Sequence, residues 1–253
     1  MTDANVSRTM AIFESQDNMY VAVISDMHLG ARPSTDRFGH EDSDFVRFLK
    51  QLESCFDRII LLGDVWETLT PDLPGRQALE LQRARASHPE IARRLATDRY
   101  QYVYGNHDWV AGHLGDAGEE ILLEDTGTRI LFTHGHQHDW GSAGARFISE
   151  WAVWCGGWLL RLGLGTLYRL ADRIDLECSR RVSSGPMSPF QQWAFAAASH
   201  RKADIIVTGH THHPDRIEHD GRLFLNSGAC NGGRFTFSAL DTRRGDYGVY
   251  TGI

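Results

Sequence analysis

Five short runs of apolar residues in this chain end abruptly in side chains that bind metals or move protons. Residues 20–25 run into Asp26 and His28, Arg58–Leu62 into Gly63 and Asp64, and residues 102–104 into Gly105, Asn106, His107 and Asp108. Thr128–Thr133 meets His134, His136 and His138, and residues 204–208 meet Gly209, His210, His212 and His213. Near-continuous apolar runs of this length are the mark of strands buried on both faces of a sheet. Open α/β sheets build their sites at the C-terminal tips of such strands. Asn106 alone fits a turn, and His107 alone fits an ordinary surface histidine. Recurrence at five strand ends is not explained that way.

At 253 residues the chain is long enough for a large core and is expected to form one domain with an insertion. The expected layout is a polar N-terminal tail over residues 1–19 and a domain over 20–253, interrupted at about 140–202. A formal net charge of −7 argues against a nucleic-acid surface, because phosphate binding needs a basic face. Cys55, Cys155, Cys178 and Cys230 are far apart and form no CxxC pair, which fits free thiols in a reducing compartment. The first 19 residues carry Asp3, Glu14 and Asp17 and no apolar core of a signal peptide. A cytoplasmic protein is the expectation.

Between the tips, the pattern alternates with helices. Phe45, Phe48, Leu49 and Leu52 stand at i, i+3, i+4 and i+7, which predicts a core-facing helix over about 42–54. A second helix is expected over about 76–96, bent or interrupted at His88-Pro89. Ser188-Pro189-Phe190-Gln191 is a capping box with proline at the first helical position, opening a helix that ends near Lys202. Residues 222–226, 235–241 and 245–250 are expected as antiparallel strands, with Gly228, Gly232 and Gly233 turning between the first two. Pro214 is expected to stop the strand before it. Alternation along an extended backbone would put Asp26 and His28 on one face, and likewise His210 and His212. Trp66 and Glu67 are expected as packing and supporting groups rather than ligands.

Collected, the tips supply Asp26, His28, Asp64, Asn106, His134, His210 and His212. Seven mixed oxygen and nitrogen donors exceed the three or four of a single zinc site. They suit two divalent cations of the Mn, Fe, Zn or Ni type, Mn first among them, with Asp64 bridging. Two such ions clamp the attacking and leaving oxygens of a phosphoryl displacement and make hydroxide available near neutral pH.

The order Asp-x-His, Gly-Asp, Gly-Asn-His-Asp, His-Gly-His and Gly-His-x-His resembles the five-motif signature of the calcineurin-like metallophosphoesterases, over about residues 21–226. The resemblance implies a four-layer α/β/β/α sandwich, two sheets face to face with helices outside, carrying here a helical cap insertion. It implies one metal on Asp26, His28, Asp64 and His212, and another on Asp64, Asn106, His134 and His210. His107 would then protonate the leaving oxygen or stabilise its charge, oriented by Asp108. His136 and Asp139 are candidates for supporting the ligands or touching substrate. Within the family the chain is similar to the UDP-2,3-diacylglucosamine pyrophosphatases of lipid A synthesis in size, in Ser25-Asp26-Met27-His28-Leu29, and in the helical insertion. It departs from them at His107, where they carry arginine, and at His136, where they carry aspartate.

The insertion is the remaining signal. Trp151, Trp154 and Trp158 lie in its longest uncharged run, residues 151–160, far short of the roughly 20 a membrane span needs. Arg146, Arg161, Arg169 and Arg173 recur beside the apolar residues, which describes a basic amphipathic helix or helix pair. Such a face suits packing on the sheets, a dimer interface, or a pocket for an acyl chain at a membrane surface. The pocket gives an expected substrate of a phosphate ester or a nucleotide-linked lipid, with peripheral contact at the inner face of the membrane through the cap. Alternatives are a phosphodiesterase or phosphomonoesterase acting on small soluble substrates, or a non-catalytic binding protein on the same fold. The last of these needs lost ligands, and no ligand position is lost.

Overall fold

A computed structural model describes residues 10–15, 19–31, 36–73, 75–125, 127–141 and 187–252. Strand β1 is Met10–Ser15, β2 is Tyr20–Ile24, β3 is Arg58–Leu62 and β4 is Tyr100–Val103. The later strands are β5 (Glu120–Asp125), β6 (Thr128–Thr133), β7 (Ile205–Thr208), β8 (Pro214–His219), β9 (Arg222–Ser227), β10 (Thr236–Asp241) and β11 (Asp246–Thr251). They form two mixed sheets, one in the order β11-β10-β2-β3-β4 and one in the order β1-β5-β6-β7-β9-β8. β2, β3 and β4 are parallel to one another, and so are β6, β7 and β9. Each sheet therefore sends three neighbouring strand tips toward one edge.

Alternation along the strands separates three cores. Val21, Val23, Ile60 and Leu62 of the five-stranded sheet meet Ile121, Leu123, Ile130, Phe132, Val207 and Leu225 of the six-stranded sheet, so the sheets pack face to face. The intervening residues Ala22, Ile24, Ile59 and Leu61 point the other way, onto helices. Those helices are α1 (Asp42–Cys55), α2 (Gln77–Ser87), α3 (Pro89–Leu95) and α4 (Trp109–His113). On the far side of the six-stranded sheet, Leu122, Leu131, Ile206 and Phe224 pack on Ala194, Phe195 and Ala198 of α5 (Pro189–Arg201). The layers are helix, sheet, sheet, helix, as the resemblance implies. The expected helical cap over about 140–202 lies outside the described residues except at its ends.

α1 buries the expected stripe of Phe45, Phe48, Leu49 and Leu52. The break at His88-Pro89 separates α2 from α3, and His88 stitches it back by donating from Nδ1 to Asp42 Oδ1 at 2.7 Å. α5 opens with the full capping box, Ser188 Oγ accepting from Gln191 N and the Gln191 side chain accepting from Ser188 N. It ends at Lys202 in the left-handed region.

Three expectations change. Residues 10–15, inside the stretch taken for a polar tail, form an edge strand paired in parallel with β5. Pro214 opens a strand and does not close the preceding one, which ends at Thr208, and β8 turns through Asp220-Gly221 into β9. Residues 222–226 and 235–241 are not partners but belong to different sheets, β9 and β10. Cys230 is a buried free thiol, and Cys55 is an exposed one. No helix among the described residues is long and apolar enough to cross a membrane.

Candidate metal centre

The loops beyond β2 and β3 run side by side, laced by main-chain bonds from Asp26 N to Gly63 O, His28 N to Asp64 O and Leu29 N to Val65 O, at 2.9–3.0 Å. The two sheets join at the same edge. His134 Nδ1 donates to Leu62 O at 2.8 Å and His210 N donates to Asp26 Oδ2 at 3.1 Å, while within the six-stranded sheet Gly209 N donates to His134 O at 3.1 Å. A Cβ on Gly63 would overlap the His134 ring, and one on Gly105 would overlap Asp64 Oδ1. Only glycine fits where backbone must approach a ligand this closely.

The tips are not extended. Asp26 (φ 55°), His28 (φ 51°), Asp64 (φ 52°), His210 (φ 70°) and His212 (φ 58°) all have left-handed backbones. Convergence of Asp26 with His28, and of His210 with His212, therefore comes from successive left-handed turns beyond the strand ends and not from strand alternation. Such conformations are uncommon for residues with a Cβ, and their concentration at one edge marks a functional site.

The side chains meet in three overlapping groups, the middle one being His28, Asp64 and His107. Asp26, His28 and His212 bring ligand atoms within 4.8 Å of one another, and so do Asp64, His134 and His210. His212 Nε2 is 3.2 Å from Asp26 Oδ1 and 3.3 Å from His28 Nε2. Asp64 Oδ2 stands between the groups, 3.4 Å from His134 Nε2 and 3.9 Å from His28 Nε2. Asn106 follows Gly105 at the β4 tip, and its buried Oδ1 has no hydrogen-bond partner. Asp26 Oδ1 and His134 Nε2 likewise make no hydrogen bond. Buried polar atoms left this way are costly unless something fills the space between them. A divalent cation does, and oxygen and imidazole donors suit Mn, Fe, Zn or Ni. The residues fit metal ions.

The electrostatics point the same way. Burial raises the carboxyls of Asp26 and Asp64, yet the imidazoles around them outweigh it and hold both below the usual range. Burial pushes His134 down, but Asp64 and then Asp26 carry it up to about 10. His28 goes the other way, lowered by burial to about 4 despite Glu67. Two buried carboxylates thus demand positive charge, which protons supply when no cation does.

His107 N donates to Asp64 Oδ1 at 2.8 Å, and its ring lies edge-on to His28 with centroids 4.6 Å apart. Its Nδ1 donates to Glu67 Oε2 at 2.8 Å. The expectation that Asp108 orients His107 is corrected here, because the buried carboxylate of Asp108 points at the backbone of the β3 tip. The ring is held by Glu67, a residue read from sequence only as a supporting group. Burial lowers His107, but Glu67 and Asp64 outweigh it and raise it to about 9. His136 is buried beside His134, ring centroids 5.5 Å apart. Asp139 falls in the 3-10 turn His136–Gly141, and its side chain lies outside the described residues.

Residues 19–157 match the model of the calcineurin-like phosphoesterase superfamily domain, and the chain belongs to that family of phosphoester hydrolases. It is similar to the UDP-2,3-diacylglucosamine hydrolase of Photorhabdus laumondii, 25% identical over 213 residues that cover 78% of this chain and 83% of that one. Among solved structures it is similar to a predicted phosphoesterase from Streptococcus pneumoniae, at 18% identity, 94% and 100% coverage and a TM-score of 0.40. Another is the Vps29 of Chaetomium thermophilum, at 15% identity, 92% and 95% coverage and a TM-score of 0.46.

Proposed function

We propose that this chain hydrolyses a phosphoester or pyrophosphate bond with two divalent cations, manganese first. The observation that supports this most directly is the adjacency of two ligand groups, Asp26 with His28 and His212 and Asp64 with His134 and His210, with Asp64 Oδ2 standing between them. Asp26, His28, Asp64 and His212 would hold one cation, and Asp64, Asn106, His134 and His210 the other. Bound there, the cations neutralise phosphate charge and lower the pKa of a water. The chain's own part is positional and protic. His107, fixed by Glu67, presents Nε2 to the leaving oxygen as proton donor. Water exclusion falls to the insertion at about 140–202, which with residues 20–139 and 203–253 would make up a single capped domain.

Within that reading the substrate is a nucleotide-linked lipid, met by a cytoplasmic protein at the inner face of the membrane. The 25% identical hydrolase supports this, as do the tryptophans and arginines of the insertion. A second reading, a phosphodiesterase acting on small substrates, is favoured by the His107–Glu67 pair standing where the pyrophosphatases carry arginine. One panel separates them: p-nitrophenyl phosphate, its bis-ester, cyclic AMP and UDP-diacylglucosamine, each with Mn²⁺. Turnover of the lipid substrate well above the rest supports the first reading, and Trp154→Ser with Trp158→Ser should then weaken only that activity. No hydrolysis in any arm, with metal bound, would sink both.

A further inference from the structure

We propose that Asp108 is a positioning residue that locks the Asp64 turn for metal binding, with Tyr102 as its hydroxyl partner. The inference rests on the metal reading above. Asp108 is fully buried. Its Oδ2 accepts from Val65 N at 2.7 Å, from Trp66 N at 3.3 Å and from the Tyr102 hydroxyl. Its Oδ1 accepts from Gly105 N at 2.6 Å and from Asp64 N at 3.3 Å. Five donors on two oxygens saturate the carboxylate. None of them comes from His107.

The source of those donors carries the argument. Three are the consecutive amides of residues 64–66, which converge on one anion because Asp64 takes a left-handed backbone. Successive amides in such a turn form a concave anion nest. A left-handed aspartate is unfavourable alone, and bonds to its neighbours' amides hold it there. The fourth amide, Gly105 N, ties the nest to the β4 tip that carries Asn106. Asp108 is also the N-cap residue of α4, yet its side chain caps none of that helix's amides. The carboxylate is turned away from the use its position favours and toward the backbone of Asp64. The side chain of Asp64 is then free to face His134 and His28. Ligand placement within a fraction of an ångström depends on supports of this kind.

The test uses the metal-stripped full chain and Mn²⁺. In Asp108→Asn one oxygen remains, and the new amide group presents hydrogens to amides that are themselves donors. Calorimetric titration is expected to show Mn²⁺ binding weakened about tenfold or more, with a changed electron paramagnetic resonance line shape of the bound ion and a native circular dichroism spectrum. Excess Mn²⁺ should restore part of the activity. Tyr102→Phe, which keeps the carboxylate, should weaken Mn²⁺ binding in the same direction by less. His107→Gln should leave it unchanged. Unchanged Mn²⁺ binding in both Asp108→Asn and Tyr102→Phe would overturn the proposal, as would an Asp108→Asn pH profile at saturating Mn²⁺ that matches His107→Gln. If Asp108→Asn fails to fold, Tyr102→Phe decides alone, and unchanged binding overturns it. An unaltered chain that binds no divalent cation would instead sink the metal reading, and this inference with it.

Discussion

A histidine that hands over a proton must be held by one ring nitrogen and available at the other. His107 meets that condition through Glu67, which takes Nδ1 at 2.8 Å while lying 3.6 Å from His28 Nδ1. The partner was not legible in sequence. Glu67 is visible three residues beyond Asp64, but which histidine it meets depends on the parallel register of β3 with β4, Leu62 opposite Val103. His107→Ala is expected to lower kcat roughly 10²–10⁴-fold with metal content intact. Loss of metal in that variant would mean the role is wrong. Glu67→Gln tests the tuning. Glu67 raises His107 by its charge, so removing the charge must lower the imidazole and move the alkaline limb of the kcat profile to lower pH. An alkaline limb that stays in place would show that Glu67 only packs.

Elements whose apolar pattern is forced by burial on both faces were legible: β2, β3, β6 and β7 fall within a residue of expectation. The edge strands β1 and β8 of the six-stranded sheet escaped, whereas β11 and β4 at the edges of the other sheet did not. β8, Pro-Asp-Arg-Ile-Glu-His, is largely exposed, and its first-position proline costs no ladder bond at a sheet edge. The Asp220-Gly221 pair was nevertheless a readable hairpin signal, and both residues adopt the positive φ such a turn needs (48° and 72°). The left-handed turns at the tips were invisible for the opposite reason, since Asp and His carry no strong preference for them. α5 shows local signals at their most reliable. Ser188→Ala removes one half of its capping box and should cost about 1 kcal/mol, a fall of about 2–4 °C in Tm for a chain this size. Metal binding should be unaffected. Weakened metal binding would mean that α5, whose Phe190 ring lies 6.2 Å from that of His210, reaches into the centre.

At the scale of the molecule, the ligands divide between the sheets. Asp26, His28, Asp64 and Asn106 come from tips of the five-stranded sheet, and His134, His210 and His212 from tips of the six-stranded one. Apolar strands announce two buried faces but not which face meets which sheet, so the sandwich was legible only through resemblance. That division gives the centre a second consequence. Cations held between the tips would cross-link the two sheets beside the hydrogen bonds of His134 to Leu62, His210 to Asp26 and Ser25 to Ser227. An ion that binds the folded chain and not the unfolded one stabilises it. Such binding stabilises by about 2.7 kcal/mol when free ligand stands at a hundred times its Kd, or roughly 5–10 °C in Tm. Stripping with chelator should lower Tm by that order, and Mn²⁺ added in excess should restore it. Asp64→Ala should abolish the response, because the Asp64 carboxylate stands between the two groups and would bridge both cations, while Ser188→Ala should lower the baseline and keep the response whole. A Tm indifferent to chelator and to Mn²⁺ would mean that the two sheets hold this edge without cations, and the ligand groups would have to be explained as hydrogen-bonded packing.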